Sequence, residues 1–281
     1  MKLVTIYPDF YKDFCCKADK CQHTCCAGWE IDIDERTAQR YQQWPGQLGQ
    51  SIRQNIVEAG GSWQFRLRAD DSCPFLRQDG LCELIRREGE TVLCDICANH
   101  PRFFVTAGRY ELAGVGLSCE KSCELLLASD APLVFHEEGG RALTLLELLQ
   151  RLELPVTAED LRYQTGLTAA DAAFVLDCLQ KTEPIDAAWT AQLAKLRTVP
   201  VTADADVPQV IDRIYQYILY RALGYVYAYG LGAVLAYAQL NTDFIFLTCH
   251  LTGQLDESIR RWSEQIEYST ENVKILLELL A

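Results

Sequence analysis

The chain is short of positive charge. Its 281 residues carry 26 Lys and Arg against 39 Asp and Glu, a formal charge of −13. Neutralising phosphates needs cations in excess, so no nucleic-acid partner is expected. A basic partner such as a lysine-bearing protein surface is compatible with that charge, and so is a surface that merely keeps the protein in solution. An apolar leader is also lacking, because Pro8 and Asp9 fall where a signal core should run. The expectation is a chain that stays in a reducing cytoplasm. No internal repeat and no low-complexity segment is visible. No strand leads into Gly-x-Gly-x-x-Gly, so a Rossmann-type nucleotide or methyl-donor pocket is unsupported. The radical-type Cys-x3-Cys-x2-Cys motif is missing, since Cys21-x3-Cys25 runs on into Cys26 and Gly28. The one uncharged run of membrane-spanning length is 222–242. Gly224, Gly230 and Gly232, its tyrosines and Arg221 at its edge suit a buried helix pair better, and no membrane partner is expected.

What the chain does have is cysteine, 13 in all, with only Cys178 and Cys249 lying beyond Cys123. Disulfide-stapled proteins are normally small and secreted, whereas clustered cysteines in a reducing compartment more often bind metal. Cys16, Cys21, Cys25 and Cys26 form Cys-x4-Cys-x3-Cys-Cys, followed at once by Gly28-Trp29. Thiolates are soft ligands that suit zinc and iron–sulfur centres, and four within eleven residues can meet without long-range folding. The adjacent pair Cys25-Cys26 points to different partners for the two, or to one ligand only. A second group, Cys73, Cys82, Cys97 and Cys119, sits in turn-rich sequence of the kind that presents a sulfur at a loop end. Cys15, Cys94 and Cys123 read as extra thiols, and Cys178 and Cys249 as core residues on apolar helices. His23 and His100 are possible histidine ligands. Arg102 is a candidate partner for a carboxylate, a bound ligand's included.

Around these, residues 29–34 alternate as a short strand, and Asp34 is placed to N-cap a helix over 35–43. Helices are expected at 48–59, closed by Gly60-Gly61, and at 84–88, closed by Gly89. A β-hairpin is expected around Ala107-Gly108, leading through Ser118-Cys119 into a helix over 120–128. A capping box starts a helix at Thr144, and Thr157 and Thr168 mark further helix starts whose acidic third residue fits the pattern less strictly. Residues 206–208 read as a linker or helix entry before a long apolar run, and 255–280 as one amphipathic helix. The fold class is mainly α (α+β), with a cysteine-rich portion at 1–129 carrying short strands and a hairpin. It packs on a helical portion at 130–281, whose last helix returns to the first portion.

Phe14-x-Cys16-x4-Cys21-x2-Thr24-Cys25-Cys26-x-Gly28-Trp29 resembles the signature of the flagellin lysine-N-methylase (FliB) family. So do Cys73-Pro74-Phe75-Leu76, Gly80-Leu81-Cys82, Cys97-x3-Pro101-Arg102 and Ser118-Cys119, and further on Tyr220-Arg221 and Ser263-x-x-Ile266-Glu267-x-Ser269-x-x-Asn272. The cysteine half is similar to the wider YkgJ-like group of zinc- or iron-chelating proteins. The resemblance implies a cytoplasmic enzyme that moves a methyl group from S-adenosylmethionine to lysine ε-amines of flagellin and depends on a [4Fe-4S] cluster held by these cysteines. The chain is shorter than typical members, chiefly in the middle, which leaves the flagellin-docking surface open. An iron with a vacant position would bind the amino and carboxylate groups of the donor. Methylating an amine needs it neutral, held in line and shielded from water. Asp32, Asp34 and Glu267 are the candidate carboxylates for drawing in the ammonium and taking its proton. The alternatives are a non-enzymatic iron or zinc carrier and a zinc-stapled interaction protein.

Overall fold

The structure, a computed structural model, describes residues 3–201 and 210–281. The linker expected at 206–208 lies outside them. Helix makes up 51% of the described residues, with sheets in the N-terminal half and a helical C-terminal portion, so the expected mixed, mainly helical class holds. Two compact units are present: Met1–Phe14 with Pro101–Ala281, and Cys15–His100. The second is thus an insertion between the first strand of the larger unit, β1 (Val4–Pro8), and the rest of it. The division does not fall at 129/130, because residues 101–129 carry strands of the larger unit's sheet and a helix that packs into its core.

In the unit Cys15–His100, β2 (Asp32–Ile33) leads into α1 (Glu35–Gln43), and Asp34 caps that helix by accepting from Thr37 N at 2.9 Å. α2 (Gly46–Gln54) ends earlier than expected, and residues 56–59 leave it as β3 (Ile56–Ala59), paired with β4 (Ser62–Phe65). Gly60 and Gly61 both take positive φ, +58° and +85°, the turn that a two-residue hairpin demands. The β-forming Ile56, Val57, Trp63 and Phe65 override the helical spacing. α3 (Glu83–Glu88) and α4 (Asp95–Asn99) are short and follow cysteines directly. The small core holds Tyr41, Ile52, Phe65, Phe75, Cys73 and Cys94.

The larger unit is built on a five-stranded sheet, ordered β5 (Arg102–Ala107), β6 (Tyr110–Val115), β1, β7 (Val134–Glu137), β8 (Ala142–Thr144). β1 runs parallel to β6 and antiparallel to β7. The expected hairpin at Ala107-Gly108 is present, and α5 (Glu120–Leu126) follows it. α6 (Leu145–Arg151) and α7 (Ala169–Leu179) both start in complete capping boxes. At Thr157 the reciprocal Thr157–Asp160 bonds form without a helix. The reason is that Asp160 O, Leu161 O and Tyr163 N bond instead to Tyr215, Gln216 and Asp212. α8 (Ala187–Leu196), absent from the sequence reading, is capped by Asp186.

α9 (Ile211–Ala222) brings tyrosine hydroxyls to the sheet backbone. Tyr217 bonds both polar groups of Val115, and Tyr220 lies 2.7 Å from Ile6 O and 2.9 Å from Ala113 O. After a short α10 (Val226–Tyr229), α11 (Leu231–Thr252) runs through the core. No helix among the described residues is long and apolar enough to cross a membrane. The closing stretch is not one helix. α12 (Leu255–Trp262) passes into a π turn at Ser263–Glu267, and α13 (Thr270–Leu280) restarts from a Ser269 cap. Buried polar side chains force the break: Gln265 bonds Glu183 O and Ile185 N, and Asn272 bonds Glu183 and Gln265 O. Within the larger unit this stretch bonds to the segment 101–117, with Glu267 accepting from Leu117 N and the Tyr268 hydroxyl donating to Pro101 O.

Candidate functional site

In the unit Cys15–His100 the loops are arranged to bring sulfurs together. Residues 26–28 pair with 71–73, through Cys73 N to Cys26 O at 2.7 Å and Gly28 N to Asp71 O at 3.0 Å. Gly28 takes φ +84°, a left-handed turn that glycine adopts without strain. Leu76 bridges Cys82, and Glu83 N bonds Phe75 O at 2.8 Å, so Cys82 opens α3 close to Cys73. Cys94 opens α4 and Cys97 lies one turn on. Asp34 reaches across to hold α4, accepting from Asp95 N at 2.9 Å.

The result is five thiols, Cys26, Cys73, Cys82, Cys94 and Cys97, linked by electrostatic influence and hydrogen bonds. Each is held in a different state. A hydrogen bond from Cys25 outweighs burial and lowers Cys26 to about 7. Burial pushes Cys73 up to about 12 and raises Cys82. Cys94 and Cys97 share a hydrogen bond in which Cys97 keeps the proton, so Cys94 is lowered and Cys97 raised. His100 stacks on Trp29 at 6.1 Å, and burial lowers it to about 4, a neutral imidazole at pH 7. All 13 cysteines are free thiols. Among the described residues no three His, Cys, Asp or Glu side chains are disposed to grip a metal ion as they stand. The donor set fits a thiolate-held metal or cluster in chemistry, as soft, unoxidised sulfurs on short loops.

Of the eight cysteines singled out in the sequence, Cys26, Cys73, Cys82 and Cys97 come together, and Cys25 touches Cys26. The adjacent pair shares a hydrogen bond. Cys16 is exposed and receives Ala18 N at 3.3 Å, and Cys21 is half-buried at the end of the same turn. Cys119 belongs to the larger unit and opens α5, beside the fully buried Cys123. Cys94 was missed as a member of the group. Its only signal is the Cys94-x2-Cys97 spacing.

The candidate carboxylates belong to both units. Asp32 is exposed and accepts from Ser62 Oγ and Gln64 Nε2 on one oxygen only. Asp34 has both oxygens engaged as a double helix cap. Burial alone would raise it, but the N–H groups of Asp95 and Thr37 bring it below the usual carboxylate range. Glu267 lies in the larger unit with its side chain 2% exposed. It accepts from Leu117 N at 2.9 Å, from Ser263 Oγ, and from Arg221 Nε at 3.2 Å. Arg102 lies over the Phe14 ring at 5.0 Å and beside the Tyr11 hydroxyl. Glu267 and Arg221 line a cavity of about 200 Å³, with Ile218, Tyr237, Trp262 and Val105 among its apolar walls.

A thiol-bearing loop unit inserted into a helical α/β unit is the class that fold and site define. No family model and no solved structure matches the chain. Over 145 residues, 49% of this chain, it is 28% identical to the flagellar biosynthetic protein FliU of Salmonella muenchen, covering 86% of that protein. Over 145 residues it is 26% identical to the lysine-N-methylases of Salmonella choleraesuis (strain SC-B67) and Salmonella typhimurium (strain LT2), covering 36% of each. The matched part thus spans about a third of the length of those methylases, and the homology is distant and partial.

Proposed function

We propose that the protein is a protein-lysine N-methyltransferase, acting with S-adenosylmethionine on lysine ε-amines of flagellin and dependent on a [4Fe-4S] cluster. The observation that carries the reading is the distant homology to lysine-N-methylase and FliU, in a chain whose thiols gather on loops of one unit. Four of the five thiols Cys26, Cys73, Cys82, Cys94 and Cys97, with Cys94 and Cys97 among them, would supply the cluster's ligands. The cluster, when bound, supplies a redox-active or Lewis-acidic centre and ties the loops together. Closure of the site also deprotonates the buried thiols, so metal loading releases protons.

The residues of the chain have separable tasks. A lysine amine loses its proton more readily on leaving water for a partly apolar pocket. Asp32, exposed and with one oxygen without a partner among the described residues, is the carboxylate best able to accept it. Asp34 holds α4 and hence Cys94 and Cys97. Glu267, with both oxygens engaged, fits a positioning role for Arg221. The test is anaerobic incubation of the purified chain with flagellin and isotopically labelled S-adenosylmethionine. Label on lysine, seen as methyl-lysine by mass spectrometry, supports the reading, and unlabelled flagellin beside an iron-loaded chain contradicts it.

The gathered thiols favour one second reading, a metal-chelating protein without transferase activity. It predicts tight zinc or iron binding with flagellin left unmodified.

A further inference from the structure

The cavity in the larger unit has walls of mostly apolar side chains and a single cation, Arg221. Glu267, the single anion lining it, is turned into the frame. One oxygen takes Arg221 Nε, and the other takes Leu117 N and Ser263 Oγ. Arg221 gives only Nε to that pair. Its two terminal nitrogens have no partner among the described residues, and the side chain is 26% exposed. Phe103 lies against the guanidinium at 3.9 Å from ring centroid to Cζ and fixes its plane. The outcome is a rigid cationic fork, braced behind by a carboxylate and on one face by a ring. Trp262, which lines the same cavity, is held by its own bond to Asn241 at 2.7 Å.

A guanidinium fork with two open N–H edges matches a carboxylate, which accepts both bonds side by side. The volume, about 200 Å³, is somewhat larger than the roughly 150 Å³ that takes a benzene. Apolar walls around the outward edge of that guanidinium suit a carboxylate-bearing ligand with an apolar body. We infer that this cavity binds a small monocarboxylate of amino-acid size, its carboxylate on the terminal nitrogens of Arg221 and its apolar part against Trp262, Tyr237 and Ile218. Two sources share that chemistry: the amino-acid end of a methyl donor, and a free apolar amino or organic acid. The inference does not rest on the methylase reading, because a carboxylate site is defined by Arg221 whether or not methyl transfer occurs.

The test is titration of the full chain, by calorimetry and tryptophan fluorescence, with L-methionine, S-adenosylhomocysteine and 3-(methylthio)propylamine, which is methionine without its carboxylate. Saturable binding of either carboxylate, absent for the amine, is expected. Tighter binding of S-adenosylhomocysteine identifies the donor's end as the ligand, and equal or tighter binding of methionine identifies a free acid. Arg221→Lys keeps a charge for Glu267 but removes the fork, and should weaken binding about tenfold or more. Trp262→Phe, which removes part of that apolar wall, should abolish the fluorescence change and weaken calorimetric binding. If the amine binds as well as the acids, or neither acid binds, the inference is overturned. That comparison uses the unaltered chain, so it stands even where a variant does not fold, and no arm reads methyl transfer.

Discussion

Asp34 caps two helices at once: Oδ1 accepts from Thr37 N at the start of α1, and Oδ2 accepts from Asp95 N at the start of α4, each at 2.9 Å. A residue 61 positions away in sequence is thereby tied to the strand that precedes α1. The second bond fixes the segment that carries Cys94 and Cys97, so this carboxylate controls where two sulfurs sit.

Replacing it should therefore loosen the thiol group. Asp34→Ala removes both caps, each worth about 1 kcal/mol, and should lower the stability of the metal-free unit by about 2 kcal/mol and reduce metal uptake. Asp34→Asn keeps acceptor capacity on one oxygen and should fall between. The folded-state value is depressed, so this contribution is present above the unfolded carboxylate range and is lost as pH falls through the folded value. Denaturant melts of the three proteins at neutral and acid pH measure both effects.

Asp243 should show the opposite pH dependence. Burial pushes it up to about 7, although Tyr163 Oη and Gln239 Nε2 donate to it at 2.7 and 2.9 Å. Between the unfolded carboxylate range near ~4 and about 7 the folded chain holds a proton that the unfolded chain has lost. Stability therefore falls as pH rises across that window and levels off above it. Asp243→Asn should flatten the profile and raise the melting temperature at pH 8 relative to pH 5. Thermal melts at the two pH values check it.

Thiol reactivity should be graded within the gathered cysteines. In the metal-free chain Cys26, lowered to about 7, should alkylate first at neutral pH, and Cys73, pushed up to about 12, should resist. Peptide mapping after brief iodoacetamide treatment gives the order. Metal loading should protect both, with Cys94→Ser and Cys97→Ser losing metal and Cys178→Ser keeping it.

Gly116 marks where the closing stretch meets the sheet end. A Cβ there would lie 2.1 Å from Tyr268 Oη and 2.6 Å from its ring. Gly116→Ala should displace Tyr268 and cost about 1–3 kcal/mol, read by chemical denaturation.

Local chemistry was legible in the sequence wherever partners are near neighbours. The Asp34 cap, the Ala107-Gly108 hairpin and the boxes at Thr144 and Thr168 all formed. Misreadings arose where tertiary bonds overrode the local signal. Helical spacing carried past Gln54 into β3 because Trp63 and Phe65, the residues that make a sheet of it, come later. The Thr157 box closed but its backbone went to α9. The π turn at Ser263–Glu267 is invisible to a 3.6-residue period, since its cause is Glu183 and Ile185 some 80 residues earlier. The site divides in the same way. The cysteines were conspicuous by type, yet the segment that carries Cys94 is held in place by a bond between Asp34 and Asp95, 61 residues apart. The expectation of a ligand carboxylate fell on Arg102, whereas the carboxylate proposed above is placed on Arg221. Its partner Glu267 lies 46 residues away.

Metal and sulfide content of the chain purified without oxygen tests the central claim, that sulfurs of one loop unit gather around an inorganic centre. About four irons and four acid-labile sulfides per chain, with visible absorption that disappears in Cys94→Ser and Cys97→Ser, is the predicted result. A colourless chain with neither iron nor zinc, all 13 thiols titrating freely, would contradict it.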